Sequence, residues 1–400
     1  MKIRVLVWIS LALACKIYGI GYSEPNSYKN PNKTVSISAS SADDTQTLKD
    51  AIAEVEAAGG GKVWCPAGTY VMSGIAVPSN VHITFHKDAV IYSRNDGNSI
   101  FSFGKKGSGT VRNASIRGQG GYPDVIVETS DSFRFVIGRD MDNCMVSGFR
   151  IEDPQESVYS SIELSWDSDS DATPHNITIK NIDQIGGAYG YGITQIQAAS
   201  DTLFTNLKGT GGVTLRLETG LKSMNIANRG GVYNIKGTNL VSTLGQSTVK
   251  MQPHTRQNGD VYLNFVTANE TLFAVKSEDG GNWKYTDQQI ADNPWLVKGS
   301  FDKISMGNCH GIYSAGGIDV KYGSLDLYSL EELETKVFRS ATNETGYTGP
   351  SISVIGDFGD RDSVSIWKTT AEGAFVNNKI MRDGDGYDHP GWVKRGRPYN

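Results

Sequence analysis

A degenerate two-strand repeat restricts what this chain can fold into more than any single motif does. One set of short, β-branched segments runs Asn143–Ile151, His175–Ile182, Asp201–Lys208, Gly231–Leu240, Gly259–Ala268 and Phe301–Cys309. A second set lies between them: Tyr159–Trp166, Tyr191–Ala198, Gly212–Gly220, Ser247–His254, Leu272–Asp279 and Gly317–Ser324. Gly, Asn and Asp mark the joints, where tight turns need them. One such pair cannot bury its own apolar face, so successive pairs must stack to make a core. The expected fold is all-β, a parallel β-helix solenoid with coils over about 75–385.

Ahead of the coils stands one helix. Asp44-Thr45 can cap it, Leu48, Ile52, Val55 and Ala58 recur on one face, and Gly59-Gly60-Gly61 stops it. The stretch continues through Lys62-Val63 to Pro66-Ala67-Gly68-Thr69-Tyr70. As a whole it resembles the N-terminal cap of pectate-lyase-like β-helices. That resemblance implies right-handed coils behind a short capping helix, with the cap over about 40–70.

Further upstream, Met1-Lys2-Ile3-Arg4 is basic and Val5 to Ala14 is apolar, a run of ten. That length suits a signal peptide, whereas a spanning helix needs about 20 residues. The expectation is a leader over 1–23, cut near Gly21-Tyr22-Ser23, then a single β-helix catalytic domain over 24–400. The protein is thus expected outside the cell or in the periplasm, with no membrane span. Lipid anchoring at Cys15 is the less favoured alternative, because Ala12 stands where a lipoprotein box usually has Leu. A net charge of −5 argues against nucleic acid as a partner. Cys65, Cys144 and Cys309 follow the leader without metal-binding spacing and are expected as buried thiols; a monomer is expected.

Alternation assigns the faces of the second strand set. Val213, Leu215 and Leu217 point inward, which turns Thr214, Arg216, Glu218 and Gly220 outward. Lys250, Gln252 and His254 face out on the next coil, Lys276 and Glu278 on the one after, and Gln195 and Gln197 on the preceding one. Coils stack about 4.8 Å apart, so these residues form a continuous polar ridge suited to a linear polysaccharide. Arg216 beside Glu218 should keep that carboxylate ionised. Arg216, Lys250, Arg256 and Lys276 are candidates to read anionic substituents, and Tyr189, Tyr191, Trp283 and Trp295 to stack on sugars.

At these residues the sequence resembles the ι-carrageenases, glycoside hydrolase family 82. The likeness is sharpest from Tyr189-Gly190-Tyr191-Gly192 through Gly212-Val213-Thr214-Leu215-Arg216-Leu217-Glu218 to Lys250-Met251-Gln252-Pro253-His254. Gln195, Glu218 and His254 match the family's site residues by type and by spacings of 23 and 36. The resemblance implies an inverting hydrolase of β-1,4 bonds in a sulfated galactan, with Glu218 as general acid and Gln195 and His254 orienting substrate and water. It implies no required cofactor, though it allows an active-site chloride and structural calcium or sodium.

One position departs from the family pattern. The base aspartate expected two residues after the acid is Gly220 here. Outward carboxylates that could replace it are Glu163, Asp167, Glu278 and Asp319. The gap Gly280 to Gly299 is too short for the inserted domain that roofs larger relatives, so an open groove and endo-type cutting are expected. Two alternatives stay open. Gly220 suits a non-catalytic polysaccharide-binding β-helix, and Cys309-His310-Gly311-Ile312 suits a family 28-like polygalacturonase. Asp167, Asp169 and Asp171, and Asp383 and Asp385, have calcium-like spacing but read as solvated turns.

Overall fold

A computed structural model describes residues 20–372 and 380–382, apart from 41, 95–97, 105–108, 128–132, 154–158, 329, 342–344, 358–363 and 367–368. The leader through residue 19, with Cys15, and the Asp383/Asp385 pair lie outside the described residues.

The chain coils as a right-handed parallel β-helix. Among the described residues, one sheet of fifteen strands and another of ten run the length of the solenoid. In the first, Met145–Glu152, Thr178–Ile185, Ala199–Thr210, Val232–Thr243, Val261–Asn269 and Ile304–Ile312 follow one another. In the second, Ile162–Leu164, Gly192–Ile196, Val213–Glu218, Ser247–Gln252 and Phe273–Ser277 do the same. Inward residues of both sheets meet in one core, where Phe85, Phe101, Phe135 and Phe149 pack edge to face. Strands of the first sheet bend where Asn181, Asn206 and Asn239 take left-handed φ of 53–55°. Asn206 donates to Asn181 and Asn239 to Asn206, a ladder that satisfies amides coil by coil.

The helix Thr45–Ala57 closes the N-terminal end of the core with Leu48, Ala51, Ile52 and Val55. Ala58 ends the helix instead of joining this face. Asp44 does not cap it by side chain; its carboxylate accepts from Ser40 and from Val71 N. Gly21, Tyr22 and Ser23, which the sequence reading puts at the end of the leader, lie against the first sheet. Gly21 N donates to Asp201 O, Tyr22 N to Thr178 Oγ1 and Ser23 N to Asn143 Oδ1. Cys65, Cys144 and Cys309 are buried and unpaired.

The repeat reading fails at its last rung. Gly317–Ser324 is not a coil strand: Ser314–Asp319 pairs antiparallel with Tyr347–Ser351, and Val354–Asp357 takes the next place in the second sheet. The intervening excursion has its own apolar cluster, with Ile318, Val320, Tyr328, Leu333 and Val337 packed toward Leu272 and Phe273. Alternation alone cannot tell a coil strand from a short strand that finds its partner locally. Asp319 therefore leaves the ridge of coil strands and pairs with Thr348 instead.

Candidate active site

Five successive strands of the second sheet set out the site. Cα register places Glu163 beside Gln195, Gln195 beside Arg216, Arg216 beside Lys250 and Lys250 beside Lys276. Two residues further along, Glu218 lies beside Gln252, and Glu278 is next in that row by the same register. Arg216, Lys250, Lys276 and Glu278 line a common pocket, whereas Thr214, also expected outward, is fully buried and donates to Val241 O. These ridge residues are nonetheless mostly buried, since Gln195, Arg216, Glu218 and His254 are each below a tenth exposed.

Glu218 sits at the centre. Its Oε1 is 3.0 Å from His254 Nε2 and its Oε2 pairs with the Arg216 guanidinium. His254 follows Pro253 at the end of its strand and holds a left-handed φ of 48°, which turns the ring back over Glu218. Arg216 is fixed in turn by Gly190 O at 2.5 Å and by the face of Tyr191, 4.8 Å from the ring centre. Burial works to raise the Glu218 pKa, but the His254 hydrogen bond and the charges of Arg216 and Lys250 outweigh it and bring it down to about 2.

Beside Glu218 opens a polar pocket of about 420 Å³ lined by Tyr191, Arg216, Lys250, Lys276, Glu278 and Lys321, among others. Lys250 and Lys276 both reach Glu278, at 3.4 and 2.5 Å. Burial would raise the Glu278 pKa, yet these two ammonium groups hold it below the ordinary value. Lys321 and Ser324 reach the pocket from the excursion after Ile304–Ile312, a contribution no strand pattern announces.

The remaining sequence candidates are not brought to Glu218. Glu163 is paired with Arg134 at 2.5 Å, one strand beyond Gln195. Asp167 is buried in its own turn, where Oδ1 accepts from Asp169 N and Ser170 N. Arg256 donates to Asn228 Oδ1 and Gly230 O and braces a loop. Trp295 donates to Asn225 O. His310 of the polygalacturonase-like motif lies on the first sheet, beside Thr267, whereas Glu218 lies on the second.

Gly220 is not a vacant position. A Cβ there would stand 2.6 Å from His254 Nε2 and 2.9 Å from Lys284 Nζ. Lys284 comes from the loop 280–299 and lies 3.4 Å from His254 Nε2 and 3.8 Å from Glu218 Oε1. The sequence reading missed Lys284, because a loop residue has no periodicity to place it. Among the described residues no group of three or more His, Cys, Asp or Glu side chains could hold a metal. For an anion, Arg216 Nε is a buried donor next to Glu218 without a hydrogen-bond partner.

No protein-family model matches the chain. A curated ι-carrageenase of Zobellia galactanivorans is 37% identical over 401 residues, covering 85% of this chain and 81% of that one. A solved 1,3-α-1,4-β-D-galactose-4-sulfate-3,6-anhydro-D-galactose-2-sulfate 4-galactohydrolase superposes with a TM-score of 0.79 at 24% identity, covering 91% of this chain and 93% of that one. An ι-carrageenase complexed to ι-carrageenan fragments does so with 0.77 at 22% identity and the same coverage. The structural matches establish the shared solenoid. The sequence match, spanning more than four fifths of each chain, gives the closer kinship: this chain belongs to the ι-carrageenase family.

Proposed function

We propose that this protein is a secreted endo-hydrolase that cleaves β-1,4 bonds of ι-carrageenan with inversion, Glu218 being the general acid. The observation that carries the reading is Glu218 held by His254 and Arg216 at the edge of a pocket lined with cations. The name of the solved galactohydrolase describes a polymer with one sulfate on each sugar of its repeat. Arg216, Lys250, Lys276 and Lys321 are the groups to receive such sulfates, Arg216 as a two-pronged donor.

A general acid must carry a proton, and Glu218 in the free protein does not. Sulfates bound to Arg216 and Lys250 would neutralise two of the charges that hold its pKa down. Burial, which acts the other way, would then be opposed chiefly by the His254 hydrogen bond. Glu218 gives its proton to the glycosidic oxygen while His254 fixes its orientation. Water attacks the anomeric carbon from the opposite face, and its proton passes to a carboxylate base.

Of the four carboxylates considered for that base, Glu278 is favoured. It lies in Glu218's row two strands on and lines the same pocket, already ionised. Two strand spacings put the backbones about 10 Å apart, compatible with the roughly 6.5–9.5 Å between carboxyls in inverting enzymes. A chloride would fit against Arg216 Nε, and its charge would favour protonated Glu218.

The test is reducing-end release from ι-, κ- and λ-carrageenan, agarose and polygalacturonate, with the anomer of the first product read by NMR. Selective release from ι-carrageenan as the inverted anomer is expected; a retained anomer or another preferred polymer overturns the reading. A non-catalytic binding protein is the second reading, favoured by the ammonium of Lys284 at Gly220, where the family base would stand. Binding of ι-carrageenan with no release would establish it.

A further inference from the structure

The loop 280–299 is built onto the site rather than hanging beside it. Gly281 N and Gly299 N both donate to the carbonyl of His254, at 2.7 and 2.8 Å. A Cβ at Gly280 would come within 2.2 Å of Gly299 O, so the two ends of the loop touch. Inside it, Asn282 Nδ2 donates to Leu296 O, and Thr286 with Gln289 forms a capping box on the helix Asp287–Asp292. Two side chains project from this support at the site. The Trp283 ring centre is 5.4 Å from that of His254 while the residue is 57% exposed. Lys284 Nζ stands beside Gly220, with its side chain 40% exposed.

Arg216 and Lys284 flank Glu218 on opposite sides along the strand. Residue 216 precedes the acid by two positions, and Lys284 fills the space two positions after it. Each offset is about 7 Å. The pocket cations therefore serve one side of the acid, and Lys284 is the corresponding cation on the other. The carboxylate nearest to it, Glu218 at 3.8 Å, is already engaged by His254 and Arg216, so Lys284 keeps attraction for an incoming anion.

We infer that Trp283 and Lys284 form a second substrate subsite across Glu218 from the cation pocket, which takes a sulfated sugar ring. The indole faces the ring and the ammonium meets its sulfate. This rests on the proposed carrageenan substrate, and it assigns Lys284 as the residue that demands a sulfate on the far side of the cleaved bond. Lys284 replaces an acidic group with a cation there, so the subsite selects for charge that the family's aspartate would repel.

The experiment compares wild type with Lys284→Ala, Lys284→Arg and Trp283→Ala on ι-carrageenan and on the same polymer after chemical desulfation. Lys284→Ala should raise KM about 2–5-fold with kcat within about 1.5-fold, the effect of one exposed charge pair. Lys284→Arg should restore KM, and on desulfated polymer Lys284→Ala and wild type should coincide. Binding to uncut polymer, titrated in a Glu218→Gln background, should weaken by the same factor and become less salt-dependent. Unchanged KM and affinity in Lys284→Ala overturn the subsite, as does a fall in kcat at constant KM, which would make Lys284 a support for His254. If wild type cuts nothing, the hydrolase reading fails alone, because the titration still reports on Lys284.

Discussion

His254 and Glu218 are 36 residues apart in sequence and 3.0 Å apart across adjacent coils, Nε2 to Oε1, both almost fully buried. That bond depends on a left-handed turn at His254, so the backbone of one coil aims the ring that holds the acid of the next.

Glu218→Gln should lower kcat by about 10²–10⁴-fold, the usual worth of a positioned acid, while leaving affinity for ι-carrageenan within a few-fold. Reducing-end assays and calorimetry check the two halves. Retained turnover would remove Glu218 from the chemistry.

The same carboxylate should give the fold a distinct acid response. Its pKa in the folded protein, about 2, lies below the ordinary 4.5, so its contribution is complete above pH 4.5 and is lost as pH falls toward 2. The shift corresponds to roughly 3 kcal/mol. Glu278 is shifted the same way and adds to the trend. Urea unfolding from pH 6 to 2 should show wild type losing stability faster than Glu218→Gln; parallel curves would contradict the assignment.

Gly220→Asp, which the sequence alone presents as restoring a base, should instead impair the enzyme. The new side chain must displace His254 or Lys284. A loss of about tenfold or more in kcat and about 1–3 kcal/mol in stability is expected. Combining it with Lys284→Ala should recover part of both; wild-type activity in the single variant would show the space to be open.

Glu278→Gln tests the base. It should cut kcat about 10²–10⁴-fold. Azide, small enough to enter the space and needing no deprotonation, should restore turnover as a glycosyl azide of inverted configuration. No rescue together with a normal kcat would move the base elsewhere.

Arg256→Ala should cost stability rather than binding. Its guanidinium braces Asn228 and Gly230 O, so about 1–3 kcal/mol should be lost with KM unchanged. Thermal melts beside kinetics separate the outcomes.

The coils were legible because inward and outward residues alternate, so Val213, Leu215 and Leu217 disclosed where Arg216 and Glu218 must point. The same pattern misled at Gly317–Ser324, whose strand is satisfied by a local antiparallel partner. Arg256 follows the strand and is held by a neighbouring loop, which alternation does not register. Lys284 left no trace because its position depends on three-dimensional closure of a loop. The available sign was indirect: a glycine where chemistry calls for a carboxylate invites the question of what fills the space.

The root of that loop has a practical consequence. Both of its ends hang from the carbonyl of the residue whose imidazole grips the acid. A graft of another relative's loop between Gly280 and Gly299 would thus reset the acid's holder even if every catalytic side chain were left alone. Exchange between homologues should move residues 253–256 and 280–299 as one cassette, since substrate preference and acid orientation are tied to a single oxygen atom.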